Sequence, residues 1–156
     1  MNSTDVDYRA LESAHMSGVY TKRPLMLVRA KGARIWDDAG VEYIDCVGAQ
    51  GAANVGNSHP KVLEAIQTQS ERIMLCPAGW FNDQRAQLHA KLAELAPGTL
   101  NRSFLCNSGA EAVEGALKFA RLGTGRTKLV ATMRGFHGRT MGALSATWNK
   151  KYRGPF

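Results

Sequence analysis

Two short stretches of this chain bring together residue types suited to chemistry. The first is Asn107-Ser108-Gly109-Ala110-Glu111, where an apolar run gives way to a helical pattern. The first turn of a helix leaves main-chain N–H groups without intrahelical acceptors, at the positive end of the helix dipole. Ser108-x-x-Glu111 has the spacing of a capping box, in which the serine accepts from the Glu111 amide and the glutamate reaches back. Capping accounts for both residues. An anion on the open amides accounts for them too, and gives a reason for Gly109, which places no side chain over the approach. The turn lacks the GK[ST] ending of a Walker loop and no GxGxxG occurs, so a single phosphate is the natural guest.

The second stretch is "MRGFHGRTMGALSATW", Met133–Trp148. Phe136 stands between Gly135 and Gly138, followed by His137 and Arg139. Its ring could stack on a planar ligand, and the guanidinium of Arg139 could grip a carboxylate through two parallel hydrogen bonds. A buried loop phenylalanine and a surface arginine explain the same residues one at a time. Both stretches follow strand-like runs, Ser103–Cys106 and Lys128–Thr132, and in a parallel sheet both would open on one edge. Taken together they describe a site for an aromatic phosphate and an acidic substrate.

The elements that must hold these residues can be read from pattern. A short helix is predicted at Tyr8–His15, within a polar arm over residues 1–24. Leu25–Arg29, Arg34–Trp36 and Glu42–Cys46 read as strands of an antiparallel meander, with turns at Lys31-Gly32 and Asp38-Ala39-Gly40. Gly48–Pro60 is Gly-rich and aperiodic, hence a loop. Pro60 suits the first turn of a helix that carries Val62, Ile66 and Ile73 on one face, and Asn82 or Asp83 caps another with Leu88, Leu92 and Leu95. A helix over Glu111–Leu122, a turn at Gly123–Gly125, a loop over Arg134–Thr140 and a helix over Met141–Trp148 complete the chain. Strand, helix, strand is the grammar of an α/β fold with a parallel sheet, of which only two strands are visible. Residues 1–58 are assigned to the arm and meander, and 59–156 to the first part of a larger domain.

Composition narrows the classes. With 156 residues, 44% hydrophobic and 21% charged, the chain suits a soluble globular protein with one sizeable core. Met1–Arg9 has no apolar run of a secretory signal, and no segment is long and apolar enough for a membrane span. The net charge of +7 is spread along the chain without the basic–aromatic interleaving of nucleic-acid binders. Anionic small molecules, or a solvated surface, explain it. Cys46, Cys76 and Cys106 form no CxxC pair and read as reduced, mostly buried thiols of a cytoplasmic protein. The motifs give no nucleic-acid, membrane or metal site.

The residues resemble the class III, ornithine-type aminotransferases, pyridoxal 5'-phosphate enzymes of fold type I. "NSGAEAVEGALKFAR" and "GFHGRTMGALS" look like two motifs of that family, and "GARIWDDAGVEYIDCVGAQGAANVGNSHPKVLEAIQTQ" is similar to its N-terminal meander and the GH-x-HP motif. The likeness spans nearly all of the chain beyond residue 17. It is nearest to members acting on N-acylated ornithine or on lysine or ornithine held by an amino-group carrier protein.

The resemblance implies roles. Ser108, Gly109 and Ala110 would hold the cofactor phosphate, with Phe136 on the pyridine ring and His137 beside it. Arg139 would bind the substrate carboxylate, and Tyr20 would line the substrate entrance. Glu114 stands where the family keeps an acidic residue. Three positions depart: Val113 replaces a common Asn, Asn57 replaces the first His of GH-x-HP, and Gln50 stands where ornithine-specific members carry a tyrosine. These favour an N-acylated donor over free ornithine, with 2-oxoglutarate as acceptor, in arginine or lysine biosynthesis. The family works as a homodimer. Its Schiff-base lysine lies well downstream of the GRT motif, and the present chain runs only about sixteen residues past Thr140. The sequence is therefore expected to be the N-terminal part of a longer enzyme, inactive alone. The alternatives are another class III aminotransferase, of ornithine or 4-aminobutyrate type, and a non-catalytic anion-binding module.

Overall fold

A computed structural model describes residues 6–156; Met1–Asp5 of the expected arm lie outside them. The described chain divides between Pro77 and Ala78 into two compact units.

The first unit is organised by short-range hydrogen bonding. Asp7 caps helix α1 (Tyr8–His15), accepting from the amides of Arg9 and Ala10 at 3.0 Å. Strands β1 (Leu27–Lys31), β2 (Arg34–Asp37) and β3 (Glu42–Ile44) form the antiparallel sheet β1-β2-β3 expected of the meander. Register pairs Lys31 with Arg34 across the hairpin turn and Ile35 with Tyr43 across the second. The β2–β3 turn closes on the buried Asp37, which accepts from the amides of Ala39 and Val41 and from the Tyr43 hydroxyl at 2.9 Å. The Arg9–Asp38 ion pair, at 2.6 Å, ties α1 to the same turn.

The Gly48–Pro60 stretch contains one feature that its composition did not announce. In α2 (Gly48–Gly51) all four residues have positive φ, including Ala49 at 51° and Gln50 at 59°. It is a single left-handed turn, which costs about 1–2 kcal/mol for each residue that bears a Cβ. Asp45 anchors its entry by accepting from the amides of Val47 and Gly48 and from the side chain of Asn57. Those bonds hold the Asp45 carboxyl below its ordinary range, the Gly48 amide contributing most. Gly56 then crosses the hairpin so closely that a Cβ there would lie 3.0 Å from Gly32 Cα. Helix α3 (Pro60–Arg72) follows, with Pro60 in its first turn.

In the second unit, Asn82 caps α4 (Asp83–Leu95) by accepting from the Arg85 amide at 3.0 Å. Helix α5 (Gly109–Thr124) ends at Gly125, whose φ of 68° supplies the left-handed C-cap. Helices α6 (Met141–Ala146) and α7 (Lys150–Arg153) complete it. Ala143, Leu144 and Thr147 are buried where α6 packs on α5.

The structure corrects four expectations. Ser103–Cys106 and Lys128–Thr132 form no strand, so the start of a parallel sheet is not built among the described residues. A strand exists only through a paired neighbour, and neither run has one; Phe104 instead sets its ring edge-on to Phe119 of α5, at 6.3 Å between centroids. The last expected helix stops at Ala146 because Thr147 turns inward to other partners. Cys46 is exposed, and Cys76 and Cys106 are half-buried, so the thiols are not mostly buried, although all three are free.

Candidate functional site

The Ser108 turn is a capping box. Ser108 Oγ accepts from the Glu111 amide at 3.2 Å, and Glu111 Oε2 reaches back to the Asn107 amide at 2.9 Å and to the Ser108 hydroxyl at 3.2 Å. The amides of Gly109 and Ala110 take no part in it and have no acceptor among the described residues. The space that a Cβ on Gly109 would occupy is open for 4 Å. Two N–H groups at the start of a sixteen-residue helix thus face an unobstructed approach.

The Phe136 loop is brought to this turn by glycine. Gly138 has φ of 134°, and a Cβ there would lie 2.7 Å from Ala110 Cβ and 3.0 Å from Ala143 Cβ. Only glycine lets the loop cross the first turn of α5 at that distance. The result is a cleft of about 670 Å³ lined by Ser108, Gly109, Ala110 and Val113 from α5 and by Phe136, His137, Gly138, Arg139 and Thr140 from the loop. Six of the seven residues singled out from the sequence therefore line one cleft. Tyr20 lies in the first unit, on the arm between α1 and β1.

Within the cleft the Phe136 ring is half exposed, propped edge-on by Tyr152 with centroids 6.4 Å apart. The Arg139 guanidinium carbon sits 5.1 Å from the centroid of that ring, a cation–π distance. His137 is half-buried and donates its amide to Thr147 Oγ1 at 3.0 Å. A cleft with two free amides, an aromatic face and a guanidinium offers a phosphate, a flat ring and a carboxylate their complementary partners.

Pattern reading left Glu114 without a firm role and overlooked Thr147 and Tyr152. Glu114 Oε1 accepts from the Thr140 hydroxyl at 2.6 Å and from the amides of Gly142 and Ala143 at 2.8 and 3.1 Å. The Thr140 hydroxyl and the Ala143 amide hold its carboxyl below the ordinary range. A carboxylate three residues past the capping Glu111 was the available signal; its partners lie 26 to 29 residues away, beyond any local pattern. No group of His, Cys, Asp and Glu suited to a metal occurs among the described residues, and none of their helices is long and apolar enough to cross a membrane.

Comparison with known proteins gives this geometry a family. The chain is 49% identical over 147 residues to the LysW-aminoadipate semialdehyde transaminase of Deinococcus radiodurans, covering 94% of this chain and 34% of that protein. It is 48% identical over 151 residues to the acetylornithine aminotransferase of Methanopyrus kandleri, covering 97% and 39%. Its fold matches a crystal structure of an (S)-enantioselective omega-transaminase from Thermomicrobium roseum, with a TM-score of 0.86 and 34% identity over 94% of this chain and 36% of that one. The chain thus spans little more than a third of the length of such relatives. The aminotransferase class-III family model matches residues 16–156, and the chain belongs to that family.

Proposed function

We propose that this chain carries the phosphate turn and ring platform of a pyridoxal 5'-phosphate aminotransferase. That enzyme moves the terminal amine of an N-acylated ornithine or lysine to 2-oxoglutarate, in arginine or lysine biosynthesis. The observation that carries the reading is the single cleft shared by the free Gly109 and Ala110 amides, the Phe136 ring and the Arg139 guanidinium. The cofactor supplies an aldehyde for the amine and an electron sink for the bond that must break. The chain's own residues bind and orient. The Gly109 and Ala110 amides hold the phosphate, Phe136 takes one face of the ring with Tyr152 bracing its edge, and Arg139 receives the carboxylate.

One relative is named for LysW-aminoadipate semialdehyde and another for acetylornithine. An amino-group carrier protein is therefore a proposed partner, beside a small-molecule amino donor. A cytoplasmic homodimer completes the proposal. Residues 1–58 would form the arm and meander, and 59–156 the first part of the large cofactor-binding domain. Val47 and Val55 flank the left-handed turn and are exposed, as a segment covered by a second subunit would be.

The test is made on the complete polypeptide that carries this sequence. It should bind pyridoxal phosphate and form glutamate from 2-oxoglutarate with N-acetylornithine or a carrier-bound lysine as donor. Free ornithine and 4-aminobutyrate should be poor donors. Failure to bind the cofactor would sink the family function here, whereas preference for 4-aminobutyrate would move the enzyme elsewhere in the class.

A further inference from the structure

We propose that Glu114 and Thr147 are positioning residues that lock the Phe136–Arg139 loop onto the first turn of α5, so that phosphate turn and ring platform stand in register before a ligand arrives. The inference rests on the cofactor reading above. Neither residue lines the cleft, so neither is proposed to touch cofactor or substrate.

Glu114 works from outside the loop. Thr140 stands at the N-cap of α6, and its side chain makes no cap bond to that helix. A helix start leaves amides in want of acceptors. Those of Gly142 and Ala143 are taken by the Glu114 carboxylate, which belongs to a different helix and also receives the Thr140 hydroxyl. These three bonds to one charged oxygen couple α5 directly to the residue that follows Arg139. Gly142 is part of the joint, because a Cβ there would fall inside the Glu114 carboxylate.

Thr147 works from inside. Its side chain is essentially fully buried, at 1% exposure. Its Oγ1 accepts from the His137 amide at 3.0 Å, and its single proton is shared between the carbonyls of Ala143 at 3.1 Å and Gly138 at 3.3 Å. Next to it, the Trp148 amide donates to the Gly135 carbonyl at 2.9 Å. The loop is thus closed at Gly135, His137 and Gly138 from α6's far end, and at Thr140 from α5. The contact of Gly138 with Ala110 is what these bonds hold in place.

The experiment uses Glu114→Ala, Glu114→Gln, Thr147→Val and Thr147→Ser in the complete polypeptide. Two ligands are titrated: inorganic phosphate, which needs the Ser108 turn alone, and pyridoxal phosphate, which needs turn and ring platform together. Glu114→Ala and Thr147→Val should weaken pyridoxal phosphate by about tenfold or more, the scale of lost hydrogen bonds to buried or charged groups. Phosphate affinity should stay within about twofold. Thr147→Ser restores the hydroxyl and should restore cofactor affinity, and Glu114→Gln, which keeps an acceptor oxygen, should lose less than Glu114→Ala. Unchanged pyridoxal phosphate affinity in Glu114→Ala and Thr147→Val would overturn the inference. So would a parallel fall of both ligands with thermal stability, since that is a purely structural role. Amide exchange of the ligand-free protein separates this idea from the cofactor reading. Exchange over residues 133–148 should quicken in the Ala and Val variants while that of α4 does not. If it does not quicken, the lock is absent whether or not the wild type binds the cofactor.

Discussion

Ser108 is a helix cap and, in the proposed reading, part of a phosphate turn, and substitutions bear differently on the two. As the N-cap of α5 it stabilises the helix, and replacing it with alanine should cost about 1 kcal/mol of stability. Aspartate caps as serine does, but it loses the Ser108 hydroxyl bond to Glu111 Oε2 and meets that like charge, so Ser108→Asp should lower the melting temperature somewhat. It also places a negative charge beside the Gly109 and Ala110 amides, where the phosphate is proposed to lie. Pyridoxal phosphate affinity should then fall by about tenfold or more, the effect of a like charge in a binding site. A Ser108→Asp variant that binds as the wild type does would show that the turn is only a cap. Arg139 allows a similar separation. Arg139→Ala in the complete enzyme should raise KM for the amino donor by about tenfold or more, with a smaller change in kcat. Lysine should recover little, because a point charge cannot reproduce the planar fork. Unaltered KM in Arg139→Ala would remove the guanidinium from substrate binding.

The joint between α5 and α6 shows which elements sequence can and cannot announce. Caps are local chemistry, and Asn82, Ser108, Pro60 and Gly125 were all readable as helix boundaries. The meander was readable too, since its turns and alternation lie within about twenty residues. The runs at 103–106 and 128–132 have the composition of strands, yet strand formation depends on a partner that local pattern does not supply. The left-handed turn at Gly48–Gly51 carries Ala49 and Gln50 in a conformation their residue types disfavour, so no propensity could have shown it. Of the cleft lining, Ser108, Gly109, Phe136 and Arg139 were singled out by type and spacing, whereas the bonds of Glu114 and Thr147 to the loop were not legible. That joint makes two predictions. Gly138→Ala forces a methyl against Ala110 and a side chain into a φ of 134°, and should destabilise the fold by about 1–3 kcal/mol, read as a lowered Tm. A Tm equal to that of the wild type would mean the crossing is looser than described. The second concerns pH. The Glu114 carboxyl is lowered by the Thr140 hydroxyl first and the Ala143 amide next, with Lys118 of α5 adding to it; α6 itself has no titratable side chain. A carboxylate lowered in the folded state stabilises above its unfolded pKa and loses that contribution as pH falls through the folded value. The Tm gap between wild type and Glu114→Gln should be full at neutral pH and close on acidification below the usual carboxylate range. A gap that widens in acid would contradict the assignment.

At the scale of the molecule, the chain brings no lysine to the lining of the cleft proposed for a cofactor's phosphate and ring. Its eight lysines are Lys22, Lys31, Lys61, Lys91, Lys118, Lys128, Lys150 and Lys151. None lines the cleft beside Ser108 and Phe136, and every one is exposed. A lysine that captures an aldehyde at neutral pH must be partly deprotonated, which takes burial or a cationic neighbour. Lys118 lies on an exposed face of α5 and does not line the cleft. Each unit also leaves large apolar side chains in solvent: Met74 and Leu75 in the first, and Phe81, Leu122 and Val130 in the second, the last fully exposed at 102%. Exposed apolar surface of this kind drives association. The 156-residue chain produced by itself should therefore self-associate, bind a hydrophobic dye, and show no transaminase turnover. Incubated with pyridoxal phosphate and reduced with borohydride, it should yield only scattered, substoichiometric labelling across several lysines on peptide mapping. One lysine labelled to near one equivalent, in a monomeric sample, would show that this stretch of chain already holds the aldehyde and would overturn the expectation.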